Sequence, residues 1–485
     1  MVFSSHLFLF YFLPLVLLLY YLSPRRGKHL LLTLVSYVFY GWANPLFMVL
    51  MFVSTLIDYV CGLGISQGLR GLWTERPSIL PKGARRTRTQ KAFLVASMIS
   101  NLSLLGFFKY FNFATGNYDA LMAALGLGGL KLDLWFQITP PLGISFYTFQ
   151  SISYTIDVYR GHARAIRNPT DFWCYVAMFP QLVAGPIIRF QDVADQLEER
   201  RHTTEMFARG VAFVALGMAK KILLANPCGK IADLTFNAGS VGCLDAWYGA
   251  TAYAFQIYFD FSGYSDMAIG LGLMTGFTFA KNFDSPYRSK SITEFWRRWH
   301  LSLSTWLRDN LYIPLGGNRK GEARTYLNLA AVMVLGGLWH GAAWNFLIWG
   351  AIHGAMLAIE RLQGKRSLYR SLPGPMKVGV TFVVLLFTWV FFRAADLPAA
   401  WAYLGSMFGL HGAQAGAGLL AGVIWQPYYL LTFFVAAAIV WGAPQTWDFT
   451  REMSWAKVGV VLGAMALSVL ALATQAFNPF IYFIF

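Results

Sequence analysis

Three features of this sequence predict an all-α, polytopic membrane protein. Apolar runs of about 20 residues recur along the whole chain, each long enough to cross a hydrocarbon layer roughly 30 Å thick. Only 13% of the 485 residues are charged and 56% are hydrophobic, against about 25% charged in an ordinary soluble domain. The basic residues, which give a net charge of +16, sit in short loops between apolar runs rather than in one patch. That placement is the signature of topology and not of nucleic-acid binding. The partner it implies is the lipid bilayer. Residues 1–485 therefore read as a single integral membrane domain without a soluble module. Cys61, Cys174, Cys228 and Cys243 show no CxxC spacing, so neither a zinc site nor a disulfide framework is indicated and no metal is expected.

Each element follows from the same reasoning. The run over 2–22 lacks a basic leading region and a small-residue cleavage site, so it reads as a retained membrane helix. Arg25, Arg26 and Lys28 place its end in the cytoplasm. Runs over 29–43 and 46–65 are joined by a tight turn at Ala43, Asn44 and Pro45. The loop over 67–91 carries Arg70, Arg76, Lys82, Arg85, Arg86, Arg88 and Lys91 with only Glu75 opposing, and reads as cytoplasmic. Runs over 91–113 and 136–158 flank a glycine-rich outer segment, and Arg160, Arg164 and Arg167 mark a return to the cytoplasm. Residues 172–188, broken by Pro180, Gly185 and Pro186, read as re-entrant. A basic loop through Arg200, Arg201 and Arg209 leads into a helix over 207–226.

The run over 247–276 carries Gln256, Asp260, Ser262, Ser265 and Asp266. Carboxylates at membrane depth are costly, so they should face a protein or water-filled interior. Helices over 325–340 and 345–360 follow, then a basic loop with Arg361, Lys365, Arg366, Arg370 and Lys377. Helices over 377–393, 426–443 and 456–475 complete the chain. The count is about eleven transmembrane helices, with re-entrant and interfacial pieces besides.

Residues 291–354 gather three of the eight histidines, His300, His340 and His353. A continuous helix over 294–308 would put Trp296, Trp299, His300, Leu303, Trp306 and Leu307 on one side and Glu294, Arg297, Arg298 and Arg308 opposite. Such a helix is too charged to span and belongs at the interface, either presenting His300 to the bundle or serving only as a headgroup anchor. Residues 315–321, LGGNRKG, offer backbone N–H groups beside Arg319 and Lys320, which suits a phosphate or equally a plain cytoplasmic turn. His340 shares a helix side with Tyr326, Leu329, Met333, Gly336 and Gly337. A neutral imidazole there is suited to proton abstraction near pH 7, or is satisfied by a carbonyl at a helix end. His353 shares a face with Phe346, Trp349, Gly350, Leu357 and Glu360; it serves helix packing, or a relay with Asp260 and Asp266. Neither HExxH nor GxSxG occurs, so metalloprotease and serine hydrolase chemistry are unsupported.

Four long stretches, QIYFDFSGYSDMAIGLGL (256–273), SITEFWRRWHLSLSTWLRD (291–309), LGGNRKG (315–321) and GGLWHGAAWNFLIWGAIHG (336–354), together resemble the membrane-bound O-acyltransferase family. Residues 1–25, 140–161 and 179–190 fit the same subfamily, the polytopic subunit of bacterial alginate O-acetylation; the D-alanyl transferase of teichoic acids is less similar. The resemblance implies a ring of tilted helices around a thin centre, with a tunnel from a cytoplasmic donor side to an outer acceptor side. It implies that the family's essential buried histidine is His340 and its second histidine His300. His340 would then lie at a thinned central site, where a plain helical count puts it near the outer end.

The activity implied is transfer of an acetyl group from a cytoplasmic donor, acetyl-CoA, for O-acetylation of an extracytoplasmic polysaccharide such as alginate, directly or through a periplasmic partner. Arg297, Arg298, Arg319 and Lys320 are the candidate contacts for the donor's phosphates. His340 would act as general base, while His300 orients the thioester or polarises its carbonyl. Cellulose and peptidoglycan-type glycans are alternative acceptors, and a transporter or export subunit is the alternative outside enzymology. The location implied is the bacterial inner membrane.

Overall fold

A backbone in hydrocarbon has no water to bond, so its polar groups must be paired within the protein, which helices do locally. The computed structural model describes residues 1–42, 44–68, 77–239, 241–364, 367–410, 417–475 and 477–479, and all regular structure among them is helical. Ala43 of the expected turn, and Arg70, Glu75, Arg76, Lys365 and Arg366 of the two basic loops, lie outside the described residues. The chain divides into two units, Met1–Ala208 with Leu271–Phe279, and Arg209–Gly270 with Ala280–Phe485.

In the first unit, a π-helical turn, Leu7–Phe12, runs into α1, Leu13–Leu22, which stops before Pro24. α2, Lys28–Gly41, is followed by α3, Pro45–Gln67, whose cap is the Asn44 side chain accepting the Leu46 N–H at 3.0 Å. α4, Arg88–Ala124, opens on a reciprocal Thr87 and Gln90 capping pair and extends well past the expected end at 113. At 37 residues it is about 55 Å long, more than a hydrocarbon core needs. α5, Ile144–Arg160, begins later than expected, after Pro140 and Pro141. Buried Asp58 of α3 ties to α4 by accepting from Ser97 Oγ at 2.6 Å and Asn101 Nδ2 at 2.8 Å. The segment over 172–188 is broken into α6, Pro169–Ala177, and α7, Phe179–Leu182, both buried. Tyr175 Oη donates to the Ile188 carbonyl at 3.0 Å and Gln181 Nε2 to the Tyr175 carbonyl at 2.6 Å, tying the broken segment to itself. α8, Phe190–Glu198, and the start of α9, Thr204–Ala219, follow.

In the second unit, α9 continues through a π-helical turn, Lys220–Ala225, into α10, Asn226–Phe236, ten residues beyond the expected end at 226. α11, Cys243–Met274, carries the polar set anticipated there. Gly263 is what lets α9 and α11 touch, since a Cβ on it would lie 2.7 Å from the Gly217 carbonyl oxygen. The π turn aims two lysines at α11: Lys220 Nζ is 2.6 Å from Asp266 Oδ2 and Lys221 Nζ is 2.8 Å from Asp260 Oδ1. Asp260 and Asp266 are thus closed by lysines and do not meet His353, so the relay considered above is not formed. Two short helices, α12, Ile292–Trp296, and α13, Leu301–Leu307, precede α14, Glu322–His340, and α15, Trp344–Leu362. The last two cross at contact distance: a Cβ at Gly337 would lie 2.2 Å from the Phe346 carbonyl oxygen, and one at Gly350 2.3 Å from that of Met333. α16, Gly374–Arg393, lies close to its expected bounds. α17, Leu397–Met407, and α18, Ala417–Ile424, were not anticipated. α19, Pro427–Gly442, α20, Thr446–Phe449, and α21, Trp455–Thr474, are the last helices among the described residues.

Among the described residues, four helices are long and apolar enough to cross a membrane: Pro45–Ser66, Arg88–Ala124, Gly374–Arg393 and Trp455–Thr474. A fifth arises if Gly418–Ile424 and Pro427–Gly442, bent by 59°, count as one span. Eleven spans are therefore not found among the described residues. α1, α2, α5 and α9, with 10, 14, 17 and 16 residues, are too short, while α11, α14 and α15 are long enough but carry Asp, Asn, His and Gly residues that lower their hydropathy. Cys61, Cys174 and Cys228 are buried free thiols and Cys243 is an exposed one, as their spacing anticipated.

Candidate active site

The centre of the second unit is built on a helix that fails to continue. Ser291 caps α12 by accepting the Glu294 N–H at 3.0 Å, and Glu294 Oε2 accepts the Lys290 N–H at 2.9 Å. The helix then stops, and His300 takes a left-handed backbone with φ 44° and ψ 56° before α13 begins. The expected continuous helix over 294–308 is therefore two helices. Its helical phase is lost because residues 282–284 capture the backbone: Asn282 O accepts the Leu301 N–H and Asp284 donates its N–H to Arg298 O, both at 2.9 Å. A non-glycine residue in this conformation costs about 1–2 kcal/mol. Such strain persists only where the surroundings over-determine it, most often at functional sites.

Asn282 also fixes the His300 ring. Its Oδ1 accepts the Ser302 N–H at 3.2 Å and the Ser302 hydroxyl at 2.9 Å, so the atom 3.2 Å from His300 Nδ1 is an acceptor. His300 Nδ1 therefore carries the proton and Nε2 is left as an acceptor. Nε2 is buried with no protein partner among the described residues. Burial pushes the His300 pKa down to about 3, so the ring is neutral.

His340 is the last residue of α14, half-buried, and it faces a cavity of about 680 Å³. The apolar part of the wall comes from Leu301, Leu303 and Leu307 of α13, Leu329, Val332, Met333 and Gly336 of α14, and Trp349 of α15. Leu329, Met333 and Gly336 thus share the His340 side, as the spacing anticipated. The His340 ring sits edge-on to Trp349 at 5.5 Å and to Phe392 at 5.1 Å. The wall also holds Arg297, Arg308, Arg361 and Asn318. An apolar cavity of this size with a few convergent polar groups is what a small-molecule site requires.

The other anticipated residues divide. Arg297 is exposed and lies on the cavity wall. Arg298 is off the wall, held by Glu294 at 2.8 Å and by the Asp284 carbonyl at 3.1 Å. Arg319 and Lys320 are exposed on the turn over 315–321, of which Asn318 alone lines the cavity. The backbone cradle anticipated in that turn is partly taken: the N–H groups of Gly316, Gly317 and Arg319 go to the carbonyls of Ile313, Tyr312 and Gly316. His300 is wholly buried and off the wall; it meets Trp339 at 6.0 Å, and Trp339 meets His340 at 5.0 Å. His353 is buried and accepts from Trp296 Nε1.

Two cations escaped the sequence reading. Arg308, paired in two-pronged fashion with Asp309 at 2.7 and 3.1 Å, and Arg361 were set aside as a polar helix face and a topology signal. The spacing of Leu357 and Arg361 at i, i+4 on α15 was the available clue for the second. Arg297 and Arg361 have no carboxylate partner among the described residues, unlike Arg298 and Arg308.

Comparison with known proteins bears on the same residues. Residues 160–393, which contain α11 to α16 and both histidine motifs, match the model of the membrane-bound O-acyltransferase family. The chain is 44% identical over 522 aligned residues to the probable alginate O-acetylase AlgI of Azotobacter vinelandii, covering all of both chains. It is 35% identical to the peptidoglycan O-acetyltransferase of Helicobacter pylori over 85% of this chain and 81% of that one. It is 31% identical to the teichoic acid D-alanyltransferase of Streptococcus thermophilus over 45% and 56% respectively. With a histidine at the end of α14 facing an apolar cavity ringed by arginines, and relatives that match from end to end, this chain belongs to the membrane-bound O-acyltransferase family as a multi-pass O-acyltransferase.

Proposed function

We propose that the chain takes an acetyl group from cytoplasmic acetyl-CoA and passes it across the bacterial inner membrane for O-acetylation of an extracytoplasmic polysaccharide such as alginate, directly or through a periplasmic partner. The observation that carries this reading is the His340 cavity. Its apolar part accommodates a thioester and pantetheine arm, and Arg297 and Arg361 offer uncompensated positive charge to the donor's phosphates. Arg298, Arg319 and Lys320 contribute to the positive field at longer range. About eleven crossings in one domain, with re-entrant and interfacial pieces around a thinned centre, are the topology that goes with this route.

In the proposed chemistry His340 takes the proton of the acceptor hydroxyl as its oxygen attacks the thioester carbonyl carbon. The carbon–sulfur bond breaks as the ester forms, and the proton on His340 passes to the leaving thiolate. His300 has given its only N–H to Asn282, so it has none with which to polarise a carbonyl; we assign it the orienting role, through Trp339. Transport as the primary activity has less support, because Asp260 and Asp266 are already taken by Lys221 and Lys220.

The test is label transfer from [14C]acetyl-CoA in membranes carrying the chain, with a periplasmic acetyltransferase partner co-expressed. Label is expected in alginate, and label in a peptidoglycan-type glycan or cellulose instead would reassign the acceptor. Absence of label from both glycan and partner, at matched protein level, defeats the acetyl-CoA reading. Within the same assay, Arg297→Gln and Arg361→Gln should each raise the donor KM about tenfold, the effect of losing one charge-assisted contact. Arg298→Gln should change it less than threefold, because its guanidinium is already engaged.

A further inference from the structure

α12 is five residues long and cannot hold its own place. Yet it supplies Thr293 and Trp296, with Arg297 immediately after it, to the cavity wall. Two buried side chains on one face of α15, two turns apart, fix it there. Glu360, 4% exposed, accepts the Ile292 N–H on Oε1 and the Thr293 N–H on Oε2, each at 2.8 Å. His353, fully buried, accepts the Trp296 indole N–H on Nδ1 at 3.2 Å. An indole nitrogen only donates, so His353 Nδ1 must be unprotonated. The His353 ring also stands edge-on to Trp296 at 5.3 Å and meets Trp349 at 4.8 Å, the tryptophan that packs against His340.

We propose that Glu360 and His353 are positioning residues that hold α12 against α15 and so set the donor-facing wall that carries Trp296 and Arg297. Neither lines the cavity, and neither touches a reacting atom. The clamp stands on geometry alone, whereas its effect on donor use rests on the acetyl-CoA reading above. A carboxylate that accepts two backbone N–H groups cannot be replaced by an amide without facing one N–H with another donor. An acceptor is likewise needed at position 353, which glutamine keeps and leucine removes.

Two measurements on the full-length chain in detergent decide the matter, with thermal unfolding used to select folded variants. The first is the rate at which a water-soluble maleimide labels Arg297→Cys in a Cys243→Ser background, the other three cysteines being buried. The second is the donor KM and kcat for acetyl transfer. Glu360→Gln and His353→Leu should each raise labelling severalfold and raise the donor KM about tenfold, with kcat changed less than twofold. His353→Gln should stay near the parent in both. Parent-like labelling in folded Glu360→Gln and His353→Leu overturns the clamp. So does a His353→Gln variant as altered as His353→Leu. Faster labelling with unchanged KM overturns the link to the donor. If the parent shows no transfer from acetyl-CoA, the acetyl-CoA reading has failed, and labelling alone still decides the clamp.

Discussion

Replacing His340 by alanine is expected to lower kcat for acetyl transfer by about a thousandfold, within the usual range for loss of a general base. Donor KM should change less than threefold, because the cavity-wall arginines Arg297 and Arg361, the proposed phosphate contacts, stay in place. Folding should survive: His340 is half-buried on the wall of an existing cavity, so truncation enlarges that cavity and opens no new void in a packed core. His340→Gln separates shape from chemistry, since it keeps much of the volume and some hydrogen bonding but has no basic nitrogen; it should be nearly as slow as alanine. The measurement is initial rate against donor concentration in membranes matched for protein. A folded His340→Ala chain within tenfold of the wild-type rate would remove the general-base assignment.

The second large effect concerns stability. Lys221 and Asp260 have side chains only 4% and 1% exposed, and Lys221 Nζ also donates to the Pro479 carbonyl. Removing one partner of such a pair leaves a buried charge uncompensated, at a cost of about 3–5 kcal/mol. Asp260→Ala is therefore expected to lose most of its folded protein on detergent extraction, since whole-domain stability is only about 5–15 kcal/mol. Replacing both members, Lys221→Met with Asp260→Leu, should recover most of that loss, because the attraction and both desolvation costs disappear together. Thermal unfolding in detergent checks both variants. A stable Asp260→Ala chain would show that the pair is solvated. A stable double variant that has lost transfer would give the pair a part in catalysis.

Much of this architecture was legible in the chain. The helices around Leu329, Phe346, Leu385 and Leu462 were found within a few residues, because an apolar stretch bounded by charge has only one economical form in hydrocarbon. α17 was missed because eleven residues are too few for that signal, and the π turn at Lys220–Ala225 because it leaves the apolar pattern almost unchanged. The site was legible in part. His340 and its cavity neighbours Leu329, Met333 and Gly336 follow from helical spacing alone. The break at His300 does not, since it is imposed by Asn282, eighteen positions earlier in the chain. Glu360 reads from spacing as one residue of the His353 face; only the fold reveals that its carboxylate is buried against two backbone N–H groups.

The glycine crossing of α14 and α15 has a mechanical consequence. At Gly337 and Gly350 the two helices meet backbone on backbone with no side chain between them, and together they form one close-packed plate. His340 rides on that plate. The part of the cavity wall formed by α13 and the π-helical turn Arg308–Tyr312 has no such glycine crossing among the described residues and leads into the exposed turn that carries Arg319 and Lys320. On the chemistry proposed above, any breathing that admits a donor arm and lets a thiol depart would fall to this less tightly crossed side, while His340 as the base would keep its aim from one turnover to the next.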